Sequence, residues 1–116
     1  MESVLMLVSS APSSPNAARA FQTALTLRGQ GHAVSLFLLQ DAVLAGLQAA
    51  DGASASAAQA LGAGGALPKG LSVYALGEDL ALRGFTPSKL WDGVRVADYA
   101  QLVDLFDQHP RVIGAL

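Results

Sequence analysis

The apolar residues of this chain fall into short continuous runs, and polar or helix-like stretches separate them. Uninterrupted runs are typical of strands that are covered on both faces, as in a parallel sheet, since a half-exposed strand would alternate. The runs cover residues 4–8, 33–39, 71–76, 94–96 and 111–116. Because helical stretches lie between them, we predict an α/β fold: one domain over 1–116, with a mostly parallel five-stranded sheet and helices on both faces.

The first helix is predicted over residues 15–28, because Ser14 can act as its N-cap and Pro15 suits its first turn. Its spacing of apolar residues predicts a buried face formed by Ala18, Phe21, Ala24 and Leu25. Shorter helices are expected at residues 42–48, 77–82 and 87–91. The last helix begins after Asp98 and ends near His109, and its apolar stripe comprises Tyr99, Leu102, Val103 and Phe106.

Residues 49–70 are rich in Ala, Gly and Ser, and their pattern supports two interpretations. The density of Ala and Leu favours a helix over residues 54–61, followed by a loop over 62–70. The same composition is also typical of a flexible linker.

Composition excludes several classes of function. The 116 residues contain no cysteine, which removes a disulfide scaffold, a Cys-ligated zinc site and a thiol nucleophile from this chain. The net charge is −2 and the basic residues are scattered, so we expect no direct nucleic-acid binding. There is no metal-ligand spacing, no signal peptide and no apolar run of about 20 residues. We therefore predict a cytoplasmic protein with no membrane contact, no metal and no cofactor.

Three groups of polar side chains follow the first three predicted strands. Ligands of open α/β sheets bind at the carboxyl ends of the strands, so we treat all eight residues as pocket or interface candidates. The candidates are Ser9, Ser10 and Asn16 after the first strand, Gln40 and Asp41 after the second, and Glu78, Asp79 and Arg83 after the third.

Each group also has a structural interpretation. The hydroxyl-rich loop over 9–14 precedes a helix and could hold an anion, but it has no glycine and also suits an ordinary turn. Asp41 is interpreted as the cap of the next helix. Glu78 and Asp79 are adjacent on a helix, about 100° apart, so they do not suit an acid pair. Asp79 and Arg83 are spaced to pair locally, and we assign no catalytic residue.

Several segments resemble the DsrH/TusB family. The sequence VYALGEDLALRG at 73–84 carries the strongest likeness, together with residues 93–99, 102–105 and 109–112 and the sequence LLQDAV at 38–43. The first third, by contrast, is more similar to the related DsrE/TusD branch of the same superfamily. The resemblance implies a small α/β domain that assembles into trimers, hexamers or mixed hexamers.

The resemblance also implies a sulfur-relay function, in 2-thiolation of the tRNA wobble uridine or in sulfur oxidation. In this superfamily the relay thiol belongs to a DsrE/TusD-type subunit. Because this chain has no cysteine, the resemblance implies a non-catalytic subunit, either a homo-oligomer or a partner of cysteine-bearing DsrE/TusD-like subunits. The alternative is an oligomeric protein that binds a small ligand, nucleotide or anion. An enzyme that uses Asp41 or Glu78 is the least favoured hypothesis.

Overall fold

A computed structural model describes residues 3–47, 70–90 and 93–115, and within them five strands form one sheet. The strands are β1 (Ser3–Val8), β2 (Ala33–Leu38), β3 (Leu71–Leu76), β4 (Val94–Ala97) and β5 (Arg111–Ala115). Their order in the sheet is β4-β3-β2-β1-β5, and every neighbouring pair is parallel. The predicted α/β class is confirmed, and the sheet is parallel throughout.

The helices lie close to their predicted positions, but the two short segments expected at 42–48 and 87–91 are 3-10 helices. The helices are α1 (Pro15–Gly29), α2 (Gly77–Leu82) and α3 (Tyr99–Gln108), with 3-10 helices at Gln40–Gly46 and Pro87–Lys89. The segment expected as a helix over 42–48 is therefore a 3-10 helix that begins two residues earlier. The two interpretations of the Ala-, Gly- and Ser-rich segment concern residues 49–69, which lie outside the described residues. Trp91, the last residue of the helix expected over 87–91, also lies outside them. No helix in the described ranges has the length and apolar character that crossing a bilayer requires.

Side-chain caps fix the starts of the two longest helices. Ser14 Oγ accepts a hydrogen bond from the Ala17 amide at 3.1 Å, and Pro15 occupies the first turn of α1, as predicted. Asp98 Oδ1 accepts from the Gln101 amide at 2.8 Å, and Gln101 Oε1 accepts from the Asp98 amide at 2.9 Å. This reciprocal pair is a capping box, which satisfies two amides that α3 itself cannot.

The first face of the sheet is covered by α1 and the longer 3-10 helix. Phe21 and Ala24 are buried there as predicted, but Ala17 and Ala20 complete the buried face of α1, and Ala18 is only half-buried. The observed residues are spaced i, i+3, i+4 and i+7, so the helix is rotated by about one residue from the predicted face. The strands contribute alternate side chains to this core: Val4, Met6, Val8, Val34, Leu36, Leu38, Leu71, Val73 and Ala75.

The second face carries α3 above a smaller core. Leu102 and Leu105 of α3 are buried against Leu5, Phe37, Leu76 and Ala97 of the sheet. The predicted stripe is therefore wrong in part: Leu102 is buried, but Tyr99, Val103 and Phe106 are exposed. The spacing of apolar residues shows that α3 is amphipathic, but the position of the helix on the sheet decides which of its apolar residues are covered.

Candidate functional site

The eight candidate residues follow the carboxyl ends of β1, β2 and β3, which are neighbours in the sheet. The ends of β1 and β2 remain joined beyond their ladder, because the Leu39 amide donates to the Val8 carbonyl oxygen at 2.8 Å. The parallel sheet therefore places side chains from three separate segments of the sequence along one edge.

Arg83 joins two of these segments. Its Nη2 and Nε atoms lie 2.8 and 3.1 Å from Asp41 Oδ1, although the two residues are 42 positions apart. The predicted local pair is much looser, since Arg83 Nη1 lies 3.9 Å from Asp79 Oδ1 and donates instead to the Asp79 backbone oxygen at 3.0 Å. The predicted pairing of Asp79 with Arg83 is present at this longer distance, and the fold adds a closer partner for Arg83, the carboxylate of Asp41.

Asp79 holds the start of the longer 3-10 helix. Its Oδ2 accepts a hydrogen bond from the Gln40 amide at 2.7 Å, and its side chain is only 14% exposed. Gln40 has a φ of +50°, a left-handed conformation that is uncommon for a residue with a side chain. The charge-assisted hydrogen bond from Gln40 to Asp79 stabilises this turn, so β2 and α2 are connected at a fixed geometry.

Asp41 does not act as a helix cap. Leu39 is the N-cap of the 3-10 helix and makes no side-chain capping bond, while Asp41 lies inside the first turn. Its carboxylate is directed to Arg83, because a guanidinium is a stronger hydrogen-bond donor than a backbone amide. Gln40, Asp41, Asp79 and Arg83 thus form one connected group, which we call the edge cluster.

The other four candidates lie around the edge cluster rather than in it. Asn16 Nδ2 donates to Ser10 Oγ at 3.3 Å, so two of these residues contact each other across the β1–α1 loop. Glu78 is exposed, and Ser9 is half-buried. Neither Ser9 nor Glu78 makes a side-chain hydrogen bond within the described residues.

The edge cluster suits recognition better than acid–base chemistry. Both carboxylates are occupied as hydrogen-bond acceptors, and no serine or histidine in the described ranges contacts them. Within those same ranges no three acidic or histidine side chains are grouped closely enough to hold a metal ion. The edge cluster is therefore a group of charged side chains that hydrogen bonds hold in place.

One polar contact was missed by the sequence reasoning. Ser35 is buried within β2, and its Oγ lies 3.0 Å from His109 Nε2. His109 Nδ1 lies 2.7 Å from the Leu105 carbonyl oxygen, which can only accept, so Nδ1 carries the hydrogen. The signal in the sequence was a serine within an otherwise apolar run, which indicates a buried group that needs a partner.

The fold and the edge cluster define a small parallel α/β domain with a charged edge. A family model described as "DsrH like protein" matches residues 13–112, so the chain belongs to the DsrH-like family. This membership relates the chain to sulfur-relay proteins. No curated protein matches the sequence at a significant level.

Several solved structures share the fold, among them the following three. The ychN protein from E. coli is 23% identical with a TM-score of 0.80, covering 98% of this chain and 99% of its own. MTH1491 from Methanobacterium thermoautotrophicum, described as a protein of unknown function, is 12% identical with a TM-score of 0.76 and the same coverage. Tm0979 from Thermotoga maritima is 20% identical with a TM-score of 0.57, covering 90% of this chain and 92% of its own. At these identities the likeness concerns the fold.

Proposed function

We propose that this chain is a non-catalytic subunit of a cytoplasmic sulfur-relay assembly. The assembly would serve 2-thiolation of the tRNA wobble uridine or sulfur oxidation. Membership of the DsrH-like family supports the general assignment. None of the 116 residues is a cysteine, so a partner subunit of the DsrE/TusD type would supply the thiol that carries the sulfur.

The edge cluster carries this proposal. It combines two carboxylates with one guanidinium, and Glu78 adds a further exposed carboxylate beside it. The cluster contains no thiol, so it does not itself supply the nucleophile that carries the sulfur. Its rigid hydrogen bonds suit a second role, in which Asp79 and Arg83 shape the wall of a pocket where the partner's cysteine reacts.

Assembly is the second part of the proposal, and apolar residues on the second face of the sheet support it. Tyr99, Val103 and Phe106 of α3 are 53%, 58% and 41% exposed, and Val112 of β5 is 42% exposed. Exposed apolar residues that lie together are typical of interaction surfaces. We propose that this surface is buried in a homo-oligomer, a trimer or hexamer, or in a hetero-oligomer with cysteine-bearing subunits.

The test is sulfur transfer in a reconstituted complex. The chain is mixed with a cysteine-bearing DsrE/TusD-type subunit that carries a labelled persulfide, and transfer to an acceptor is timed. Asp79→Ala should slow the partner's transfer about tenfold while the complex stays assembled, since it releases the Gln40 turn and alters the pocket wall. Asp107→Ala, an exposed carboxylate on α3, is the matched control and should leave the rate unchanged.

Two outcomes would contradict the proposal. If Asp79→Ala left both assembly and transfer at the original level, the edge cluster would have no role in the pocket. If the chain remained a monomer and bound no cysteine-bearing relative in light scattering, the proposed subunit role would be wrong.

The alternative, an anion-binding protein, receives less support from the loop over residues 9–14. Ser14 Oγ is occupied by the Ala17 amide, and Ser10 Oγ by Asn16, so two hydroxyls of the loop already have partners. Thermal stabilisation by phosphate or a nucleotide, lost in Ser9→Ala, would favour the alternative over the relay subunit.

A further inference from the structure

A cavity of about 270 Å³ lies between α3 and the half of the sheet formed by β3 and β4. None of its lining residues belongs to the edge cluster. The residues that matter here come from both sides: Tyr74 and Arg95 from the strands, and Gln101, Asp104, Leu105 and Gln108 from α3. A helix and a parallel sheet form the walls, so the positions of these residues are fixed by regular structure rather than by loops.

Two side chains of opposite charge line this cavity, and neither has a partner among the described residues. Arg95 extends from β4 and Asp104 from α3, and both are exposed. Among the described residues, neither side chain makes a hydrogen bond or an ion pair, and the two do not pair with each other. The cavity thus presents one guanidinium and one carboxylate, each with its hydrogen-bonding capacity unused.

The Tyr74 hydroxyl and the Gln101 side-chain amide also have hydrogen-bonding atoms that a ligand can use. The Tyr74 ring stacks on Phe37 with centroids 6.2 Å apart, which holds the ring while its hydroxyl has no partner among the described residues. The capping box occupies Gln101 Oε1 and leaves the amide nitrogen of that side chain as a donor. Buried Leu105 provides an apolar floor beneath these groups.

We propose that this cavity binds a small zwitterion, with its anionic group on Arg95 and its ammonium group on Asp104. Typical pockets for drug-sized ligands measure roughly 300–1,000 Å³, so a cavity of about 270 Å³ suits a molecule of amino-acid size. The anionic group is a carboxylate or a phosphate, because a guanidinium binds both in a bidentate manner. The site is independent of the proposed sulfur-relay role.

Isothermal titration of the whole chain tests this assignment with L-glutamine and phosphoethanolamine as probes. L-Glutamine carries a carboxylate and phosphoethanolamine a phosphate, so the tighter probe identifies the anionic group. We expect saturable binding of at least one probe, with a Kd at or below about 1 mM. Acetate and ethylammonium carry only one charge each, and they should bind at least tenfold more weakly because one wall of the cavity stays unpaired.

Charge-removing variants locate the site. Arg95→Gln and Asp104→Asn should each weaken binding of the better probe at least tenfold, without lowering the thermal stability of the free protein. Arg111→Gln on β5 and Asp107→Asn on α3 are matched controls outside the cavity and should bind normally.

Three results would overturn the assignment. The first is that neither zwitterion binds with a Kd at or below about 1 mM. The second is that acetate or ethylammonium binds as well as the zwitterions. The third is that the two control variants lose binding to the same extent as Arg95→Gln and Asp104→Asn.

Discussion

The two faces of the sheet differ in how completely they are covered. On the first face, α1 and the longer 3-10 helix bury side chains from the three strands β1, β2 and β3, and Phe21 of α1 is 1% exposed. On the second face, α3 buries Leu102 and Leu105 but leaves Tyr99, Val103 and Phe106 exposed to solvent. The central strands are also less apolar on the second side, which carries Ser35, Ser72 and Tyr74.

This difference separates residues that stabilise the fold from residues that can serve interactions. Apolar burial is the main source of folding stability, so the first face should contribute most of it. The second face has a smaller core. An exposed apolar surface lies on one flank of α3, and the polar cavity lies on the other flank. We therefore expect changes on the first face to lower stability and changes on the second face to affect binding and assembly.

The largest expected effect compares two phenylalanines. Phe21→Ala should lower the free energy of unfolding by about 3–5 kcal/mol, because it leaves a cavity in the first core. Phe106→Ala, at a side chain that is 41% exposed, should cost about 1 kcal/mol or less in a monomer. Urea unfolding of the two variants, compared at the same protein concentration and then repeated at a higher one, measures the two losses of stability. Equal losses would mean that the second face is covered in solution, and a dependence on concentration would identify self-association as the reason.

The next effect concerns the polar contact beneath α3. Ser35→Ala removes the hydroxyl that meets His109 Nε2, and we expect a loss of about 1–3 kcal/mol because a half-buried ring nitrogen is left without its partner. Ser72→Ala, an exposed serine at the same level of β3, is the matched control and should change stability little. A loss in Ser72→Ala as large as that in Ser35→Ala would contradict this role of the Ser35–His109 contact.

The N-caps of α1 and α3 should contribute similar free energies to stability, one on each face of the sheet. Asp98→Ala removes the capping box of α3, and Ser14→Ala removes the cap of α1, so each should cost about 1 kcal/mol. Because α3 has fewer buried contacts, Asp98→Ala should also increase amide hydrogen exchange along α3 more than Ser14→Ala does along α1. Exchange that rises equally in both helices would show that the two faces are held with similar local stability.

The smallest expected effect lies at the carboxyl edge, between the two faces. Asp41→Asn weakens the ion pair with Arg83, but the Asp41 side chain is 60% exposed, so the free energy of unfolding should fall by about 0.2–1 kcal/mol. The loss should shrink further in high salt, where exposed charges are screened. Thermal unfolding at low and high ionic strength checks both points, and a loss above 2 kcal/mol would mean that the pair is buried by assembly.

Local signals in the sequence were sufficient for most of the elements. Ser14 and Pro15 marked the start of α1, and Asp98 marked the start of α3, because capping depends on residues three positions apart. The nearly continuous apolar runs located the strands, since parallel strands that are covered on both faces are rich in apolar side chains. The family likeness at 73–84 was also carried by contiguous residues, and the family match agrees with it.

The candidate site was predictable only in outline. The sequence placed Asp41, Asp79 and Arg83 after strands, and the parallel topology explains why they share an edge. It also predicted the local pair of Asp79 and Arg83, which is present at 3.9 Å, because residues four apart on a helix are neighbours. The pairing with Asp41 depends on the register of β2 and β3, which no local pattern encodes.

The sequence by itself therefore determined the order and approximate positions of the helices and strands, because those choices depend on neighbouring residues. Only the tertiary structure decided which apolar residues of α3 are covered, which carboxylate pairs with Arg83, and that Arg95 and Asp104 line one cavity. The physical reason is that these properties arise between segments far apart in the chain. Packing and register set their distances, and the same local pattern is compatible with several arrangements.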